Sequence, residues 1–157
     1  MATDKELVLA KYTYSSICKM LDARKWRYDK DDDKLIVHVG VESDDFPMRF
    51  LFISDAERQL VRLISFLPFT ISKDKFVDIA IATSYVNYTL ADGSFYLDMS
   101  DGSIAFTLTS SFRESIIGDS MLEHMIDISC MLVDKYNDQF FMIGKGKVSI
   151  DEFIKNN

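Results

Sequence analysis

The stretch LADGSFYLDMSDGSIAFTL, residues 90–108, contains Asp-Gly-Ser twice and restricts the fold more than any other segment. Asp-Gly supplies the positive backbone dihedrals of tight hairpin turns. The pairs begin at Asp92 and Asp101, which leaves room for one strand of ordinary length between them. Alternation places one row of apolar side chains on a shared inner side: Phe95, Leu97, Met99, Ile104, Phe106 and Leu108. The segment predicts an antiparallel hairpin that turns at Asp101, while the first Asp-Gly ends a preceding helix.

Alternating apolar residues also predict a meander upstream of this hairpin. The runs KLIVHVGVE (34–42) and MRFLFIS (48–54) read as two strands joined by a turn at 43–47. The run QLVRLISFLPF (59–69) fits both strand and helix spacing. We interpret it as a third strand, because a short turn at 55–58 would extend the meander, but a helix over 59–67 stays open as the alternative.

Helices are predicted at both ends of the chain and between the meander and the hairpin. The first ends near Ala23, the second spans about Asp74 to Leu90, the third spans 119–143, and a short one follows Gly146. Serine or threonine followed three positions later by glutamate indicates a capped helix start. Such pairs are Thr3 with Glu6, Ser120 with Glu123, and Ser149 with Glu152.

The second helix is apolar on two sides. One face carries Phe76, Ile79, Ala80, Thr83, Val86, Asn87 and Leu90, and a nearly opposite one carries Val77, Ile81, Tyr85 and Tyr88. A helix of this kind must be covered twice, once by its own sheet and once by something else. We expect the second row to be a self-association surface that meets a second copy of the chain. The alternative is intramolecular, with the first or third helix packed over that row.

The third helix has a broad apolar face and an acidic stripe opposite to it. The stripe consists of Glu123, Asp127, Asp134 and Asp138. Paired carboxylates can act in catalysis, but on the solvent side of an amphipathic helix they are typical of a hydrated face. Met131 and Met142 project toward the flank of this helix, and we expect them to contact a protein partner because methionine suits adaptable surfaces.

Charge and composition exclude several classes of function. The formal net charge is −7, and no lysine or arginine occurs between Lys75 and Arg113, so a nucleic-acid partner is not expected. Every apolar run is interrupted by charge, which argues against a signal peptide or membrane span. Cys18 and Cys130 lie on separate predicted helices and read as reduced, buried thiols. We therefore expect a cytoplasmic protein with no membrane partner.

No motif for catalysis, a cofactor or a metal is present. DKDDDK, residues 29–34, approaches a calcium loop, but Lys34 stands where glycine is needed and Gly40 where glutamate is needed. This segment is better interpreted as a solvated hairpin turn. GKGK, residues 144–147, lacks the earlier glycine of a phosphate-binding loop. We expect no catalytic residue, no metal ligand and no cofactor.

The elements follow the order α-β-β-β-α-β-β-α, an α+β fold with an antiparallel sheet, meander plus hairpin, packed with helices. The residues that carry a family resemblance are Asn87, DGSFYLDMSDGSIAF at 92–106 and LVDKYND at 132–138. Through them, this chain resembles the YbjN-like family of bacterial sensory transduction regulators. The resemblance begins at about Trp26 and implies a type III secretion chaperone-like fold in one domain, 1–157. It also implies an acidic bacterial protein, dimeric in the chaperone relatives, that binds another protein.

Two functions follow as hypotheses. The first is a non-enzymatic protein-interaction module, chaperone-like or regulatory, that acts as a homodimer and binds a further, unidentified protein. The alternative is a small-molecule sensor or regulator in bacterial signal transduction, which the family description implies and which an aromatic content of 13% makes physically feasible. No peptide-binding signature of the secretion chaperones is present, so a role in secretion does not follow from the fold.

Overall fold

A six-stranded antiparallel sheet organises the computed structural model, which describes residues 1–43 and 45–157. The strands are β1 (Tyr28–Asp31), β2 (Ile36–Val41), β3 (Met48–Asp55), β4 (Leu60–Thr70), β5 (Ser94–Leu97) and β6 (Ser103–Ser111). They lie side by side in the order β1-β2-β3-β4-β6-β5. The run at 59–67 is therefore strand and not helix. The predicted turn at 43–47 includes Asp44, which lies outside the described residues.

The helices are α1 (Asp4–Ala23), α2 (Phe76–Thr89), α3 (Asp119–Gly144) and α4 (Ile150–Asn156), and a single 3-10 turn, Lys73–Lys75, precedes α2. The predicted α+β class and the order of its elements are confirmed. The structure adds a strand, β1, that was not predicted. It pairs with β2, and the turn expected at 29–34 connects the two strands. Asp31 shapes this turn by accepting hydrogen bonds from the backbone N–H groups of Asp33 and Lys34, at 3.1 and 3.0 Å.

The described helices pack on one face of the sheet. Ser54 on β3 donates its hydroxyl to the carbonyl of Ala10 on α1 at 2.7 Å. The ring of Phe95 on β5 meets those of Tyr136 and Phe140 on α3, with centroids 5.7 and 5.2 Å apart. Burial of large apolar side chains between the two layers is the main source of stability. The core includes Phe50, Phe52, Leu63, Phe95, Phe106 and Phe140.

Two of the three predicted helix caps are confirmed. Thr3 and Glu6 form the capping box of α1, and the Ser149 hydroxyl accepts a hydrogen bond from the Glu152 N–H at 3.1 Å. The predicted cap at Ser120 is wrong. Gly118 holds the cap position of α3 with an extended backbone and no side-chain hydrogen bond, so Ser120 lies within the first helical turn.

The hairpin of β5 and β6 is confirmed, but its turn is longer than expected. The Asp98 N–H donates to the Ser103 carbonyl at 2.8 Å, and the Gly102 N–H donates to the Asp98 carbonyl at 2.7 Å, so the turn covers 98–102. Gly102 has φ +79°, and a Cβ there would collide with the Ile71 carbonyl. Met99, expected in the inner row, instead lies in the turn and is 59% exposed.

Candidate interaction surface

The inner face of α2 is buried, and most of its outer face is exposed. The buried residues are Ile79, Ala82, Thr83 and Val86, so Ala82 is buried more completely than Ala80, which the helical spacing had placed inside. On the opposite side, Val77 is 68% exposed, Ile81 43% and Tyr88 94%. The structure therefore places three of the four predicted self-association residues at the surface of the chain.

The fourth of these residues, Tyr85, has a different environment. Its side chain is partly buried, and its ring lies edge-on to Phe153 of α4 with centroids 6.3 Å apart. Phe153 also contacts Phe140 of α3, at 6.2 Å between centroids. The short final helix therefore fills the space between α2 and α3 and partly covers Tyr85, while Tyr88, the last residue of the outer row, stays exposed. Neither α1 nor α3 provides this contact, although these were the covers considered from the sequence.

A shallow depression of about 640 Å³ lies along the exposed side of α2. Its lining consists of Val77, Ala80, Ile81, Ser84, Tyr85, Tyr88 and Met99. None of these residues is charged, and Ser84 and the two tyrosines supply its only polar side-chain groups. We call this lining the α2 surface. Met99 was missed in the sequence reasoning, because the hairpin turn was assumed to be two residues long and Met99 was counted as part of the strand.

Asn87 fixes α2 against the edge of the sheet. Its side-chain N–H donates to the Phe95 carbonyl at 2.8 Å, and its side-chain oxygen accepts from the Phe95 N–H at 2.8 Å. These hydrogen bonds satisfy main-chain groups of β5 that face away from β6. An open strand edge invites pairing with another chain. Asn87 blocks that pairing at Phe95 and holds the α2 surface in a fixed orientation.

The two methionines predicted as partner contacts lie apart from the α2 surface, on α3. Both are exposed, and their separation corresponds to roughly three helical turns, so they share one side of the helix. Asp134 and Asp138 occupy exposed positions between them. Met131 adjoins Cys130, whose thiol pKa is raised to about 11 by burial. The structure thus brings the predicted α2 residues together in one depression. Met131 and Met142 do not form a patch, because exposed carboxylates lie between them.

The carboxylates around the hairpin make local contacts. Asp98 accepts hydrogen bonds from the hydroxyl and backbone N–H of Ser100, which lower the pKa of its carboxyl. Asp92 lies 3.3 Å from His124 Nε2. Within residues 1–43 and 45–157, no group of three or more His, Cys, Asp or Glu side chains could hold a metal ion. No helix in the same ranges is long and apolar enough to cross a membrane.

Comparisons with known proteins agree with this architecture. The family described as "Putative bacterial sensory transduction regulator", YbjN, matches residues 13–142. The crystal structure of YbjN from E. coli, called "a putative transcription regulator", has a TM-score of 0.54 and 12% sequence identity, covering 83% of this chain and 87% of that chain.

A second solved structure, the HopA1–SchA chaperone–effector complex, has a TM-score of 0.59 and 14% identity, covering 82% of this chain and 95% of that chain. Among curated protein sequences, none matches this chain. The matched family and these relatives are described as regulators and chaperones and not as enzymes. The chain belongs to the YbjN family, and its fold is type III secretion chaperone-like, as the sequence resemblance implied.

Proposed function

We propose that this protein is a non-enzymatic protein-binding module, chaperone-like or regulatory, which forms a homodimer through the α2 surface and binds a further protein. The observation that carries the proposal is the uncharged, apolar side of α2, with Val77 and Tyr88 mostly exposed while the inner face of the same helix is buried. Contiguous exposed apolar patches of this kind are typical of interaction sites.

The absence of charge in this lining favours a second copy of the chain as the occupant. Each copy carries a formal net charge of −7, so most surfaces of two copies repel each other. A two-fold contact pairs the same patch with itself. A patch without charged side chains avoids like-charge repulsion in that arrangement, and tyrosine supplies a rigid amphipathic ring at its edge. The Lys75–Asp78 ion pair, 3.6 Å, lies at the beginning of the helix and outside the lining.

The size of the interface sets a further requirement. Stable interfaces bury about 800 Å² on each partner, which is more than Val77, Ile81, Tyr85 and Tyr88 provide. Met99 and the rest of the 98–102 turn enlarge the contact on one side of α2. Each Å² of apolar area removed from water contributes on the order of 25 cal/mol before the cost of association. The proposed dimer therefore includes the hairpin turn as well as α2.

The similar proteins support a further protein partner. The HopA1–SchA structure is a complex of a chaperone with an effector, and the family description is that of a regulator. Both activities operate by binding. We place the protein in the bacterial cytoplasm, where its two free thiols, Cys18 and Cys130, would remain reduced.

One observation favours the alternative of a small-molecule sensor. The depression on α2, about 640 Å³, falls within the roughly 300–1,000 Å³ typical of ligand pockets. Ligand pockets usually enclose most of the ligand, however, and place several polar groups around it. This depression is shallow and offers only one serine and two tyrosine hydroxyls. A protein surface therefore fits it better than a metabolite does.

Light scattering coupled to gel filtration tests the homodimer. We expect the wild-type chain to have the mass of two copies at micromolar concentration, and Val77→Glu with Ile81→Glu to have the mass of one copy and an unchanged circular dichroism spectrum. Tyr85 is left intact because it packs on Phe153. Met131→Glu on α3 is the control and should leave the mass of two copies unchanged. A wild-type mass of one copy would refute the proposal.

A further inference from the structure

The sheet has a second face, opposite to the described helices, which we call the open face. Strand alternation and register place on it, among other residues, Arg49, Leu51, Arg62, Ile64, Phe66 and Tyr96, together with the polar side chains of His38, Ser94, Thr107 and Thr109. Ile64 is buried by its neighbours, but Phe66 and Tyr96 are 38% and 39% exposed. Antiparallel sheets with one solvated face usually carry polar side chains there. Two exposed aromatic rings in one row of the open face are therefore typical of a surface that packs against another molecule.

The apolar side chains form rows that run across several strands. Arg49 lies opposite Phe66, Phe66 opposite Ala105, and Ala105 opposite Tyr96, which makes one row over β3, β4, β6 and β5. In the neighbouring row, Leu51 lies opposite Ile64. Side chains directly opposite on one face are close enough to touch. The two rows together make a continuous apolar strip across the centre of the sheet.

A groove extends this strip toward β2. It has a volume of about 600 Å³, and its lining includes Gly40, Arg49, Leu51 and Phe66. Gly40 lies opposite Arg49, and a Cβ built on it would meet no atom within 4 Å. A second depression, of about 390 Å³, shares Arg49 and Phe66 with the first. The missing side chain at position 40 therefore leaves a channel that continues past Phe66.

The centre of the open face carries two positive charges, Arg49 and Arg62, although the chain as a whole is negative. Arg49 and Arg62 form no ion pair with any described residue. Among the described strand residues, carboxylates lie at the margins of this face: Asp29 and Asp31 on β1, and Asp55 at the end of β3, where it pairs with a neighbouring arginine. Asp29 also lines the β2 end of the groove. Two free cations beside an apolar strip favour a partner whose apolar side chains are bordered by carboxylates.

A second copy of the chain does not fit this face. A two-fold contact centred on the open face would bring Arg49 and Arg62 of both copies into one interface without a carboxylate from either centre to pair them. A contact between the open face and the acidic stripe of α3 in another copy would be head-to-tail and would continue into an open assembly. The occupant that satisfies the charges in a closed complex is therefore a different protein.

The backbone of the sheet indicates which secondary structure this occupant has. The open face presents side chains, whereas free main-chain donors and acceptors occur only at strand edges. An extended segment laid on the face would leave its own N–H and C=O groups unpaired, while a helix satisfies them internally. At the β5 edge, moreover, Asn87 already occupies the main-chain groups of Phe95.

We propose that the open face binds an amphipathic helix of a partner protein, with the apolar stripe of that helix on Leu51, Ile64 and Phe66 and its bordering carboxylates on Arg49 and Arg62. This inference rests on the proposed protein-binding function and names the site and the chemistry of the partner. It assigns the partner and the second copy to different surfaces, so that both can be bound at once.

The test uses a fluorescein-labelled synthetic peptide of about 18 residues, long enough to be helical, with a leucine stripe bordered by glutamates. Fluorescence anisotropy measures its binding to the wild-type protein, to Arg49→Glu with Arg62→Glu, and to Lys11→Glu with Lys19→Glu. We expect the charge reversal on the open face to weaken binding at least about tenfold, which corresponds to 1.4 kcal/mol. The matched charge reversal at Lys11 and Lys19, exposed positions of α1 outside both apolar surfaces, should bind as the wild type does.

Two further binding experiments show whether weaker binding results from the changed charges or from a loss of folding. A peptide with lysine in place of each glutamate should bind the double charge-reversal variant better than it binds the wild type. Gly40→Val should fill the groove and weaken binding of the glutamate peptide while the protein remains folded, since a side chain at position 40 meets open space. Circular dichroism checks the fold of each variant.

Each contrary outcome has a distinct meaning. If the glutamate peptide binds the wild type and the charge-reversal variant equally well, the open face is not its site, and the inference fails while the protein-binding function stands. If the peptide does not bind the wild type at all, the inference is also overturned. The homodimer is tested separately, by the mass of the wild-type chain, and neither result alters that test.

Discussion

Helices α2 and α3 pack on the same core but present opposite kinds of surface to solvent. The outer side of α3 carries Glu123, Asp127, Asp134 and Asp138, all exposed. The outer side of α2 carries Val77, Ile81 and Tyr88, also exposed. Since α3 shows that a helix in this fold can bury one face and remain charged on the other, folding does not require the apolar outer side of α2. Binding is the better explanation for it.

The contrast extends to how each helix is anchored. On α3, the rings of Tyr136 and Phe140 reach into the core and meet Phe95, and the polar contacts of the helix, such as the Arg24–Asp127 ion pair at 2.9 Å, lie at the surface. On α2, packing of small and medium side chains is supplemented by the two hydrogen bonds of Asn87 to the edge of β5. An element that is both clamped in place and apolar on its outer side is suited to present a rigid interface.

The largest expected effect on stability comes from replacing isoleucine by alanine on the inner side of α2, compared with the same replacement on its outer side. Ile79→Ala removes a fully buried side chain and should lower the free energy of unfolding by about 2–5 kcal/mol. Ile81→Ala, two positions away on the outer side, should lower it by about 1 kcal/mol or less at a concentration where the dimer is dissociated. Urea denaturation measures both. Equal losses would mean that both sides of α2 are core.

A smaller effect is expected from the clamp on the sheet edge. Asn87→Ala removes both hydrogen bonds to Phe95 and should lower the free energy of unfolding by about 1–3 kcal/mol. It should also increase aggregation, because the main-chain edge of β5 becomes free. Ser84→Ala, at an exposed position on the same helix, is the control. A variant as stable and soluble as the control would show that packing alone holds α2.

The smallest effect concerns α1, which contributes to neither apolar surface. The Tyr14 hydroxyl donates to Asp32 Oδ1 at 2.7 Å, and this hydrogen bond, with Lys30, lowers the pKa of the Asp32 carboxyl. Because the folded pKa lies below the unfolded one, the stabilisation is present above the usual value of 3.8 and is lost as pH falls through the folded pKa.

Tyr14→Phe should therefore lower the free energy of unfolding slightly at neutral pH, and the difference from the wild type should shrink as pH falls through the folded pKa of Asp32. Denaturation at several pH values measures this. An Asp32→Asn variant should show no such pH-dependent difference on Tyr14 substitution. A Tyr14→Phe effect that is constant with pH would mean that the hydroxyl does not stabilise the ionised carboxylate.

The parts of the fold that could be predicted are those where the local sequence fits only one kind of secondary structure. The alternating strands, the Thr3 and Ser149 caps and the hairpin near Asp101 were predictable, because period-two spacing and turn residues act over a few positions. The strand at 59–67 was ambiguous in sequence and was decided by pairing with β3 on one side and β6 on the other, at Leu63 with Phe52 and with Leu108. The local spacing of apolar residues does not predict such long-range contacts.

The candidate site was only partly predictable for the same reason. Helical spacing identified the apolar outer row of α2, but the partial cover of Tyr85 depends on where α4 packs, through Phe153. The exposure of Met99 depends on a turn of five residues, which the Asp-Gly pair did not specify. The groove on the open face arises from Gly40, a single glycine in a strand, whose effect is visible only beside its neighbours across the sheet.

The rate of methionine oxidation tests most directly whether two copies meet through the α2 surface. The comparison uses two methionines that are almost equally exposed in a single chain. Met99 beside α2 is 59% exposed, and Met131 on α3 is 56% exposed. Hydrogen peroxide converts accessible methionine to its sulfoxide, and mass spectrometry of peptides gives the rate at each site. If two copies meet through the α2 surface, Met99 should oxidise several-fold more slowly than Met131 in the wild type, and at a similar rate in Val77→Glu with Ile81→Glu. Equal rates at the two methionines in the wild type would contradict the account.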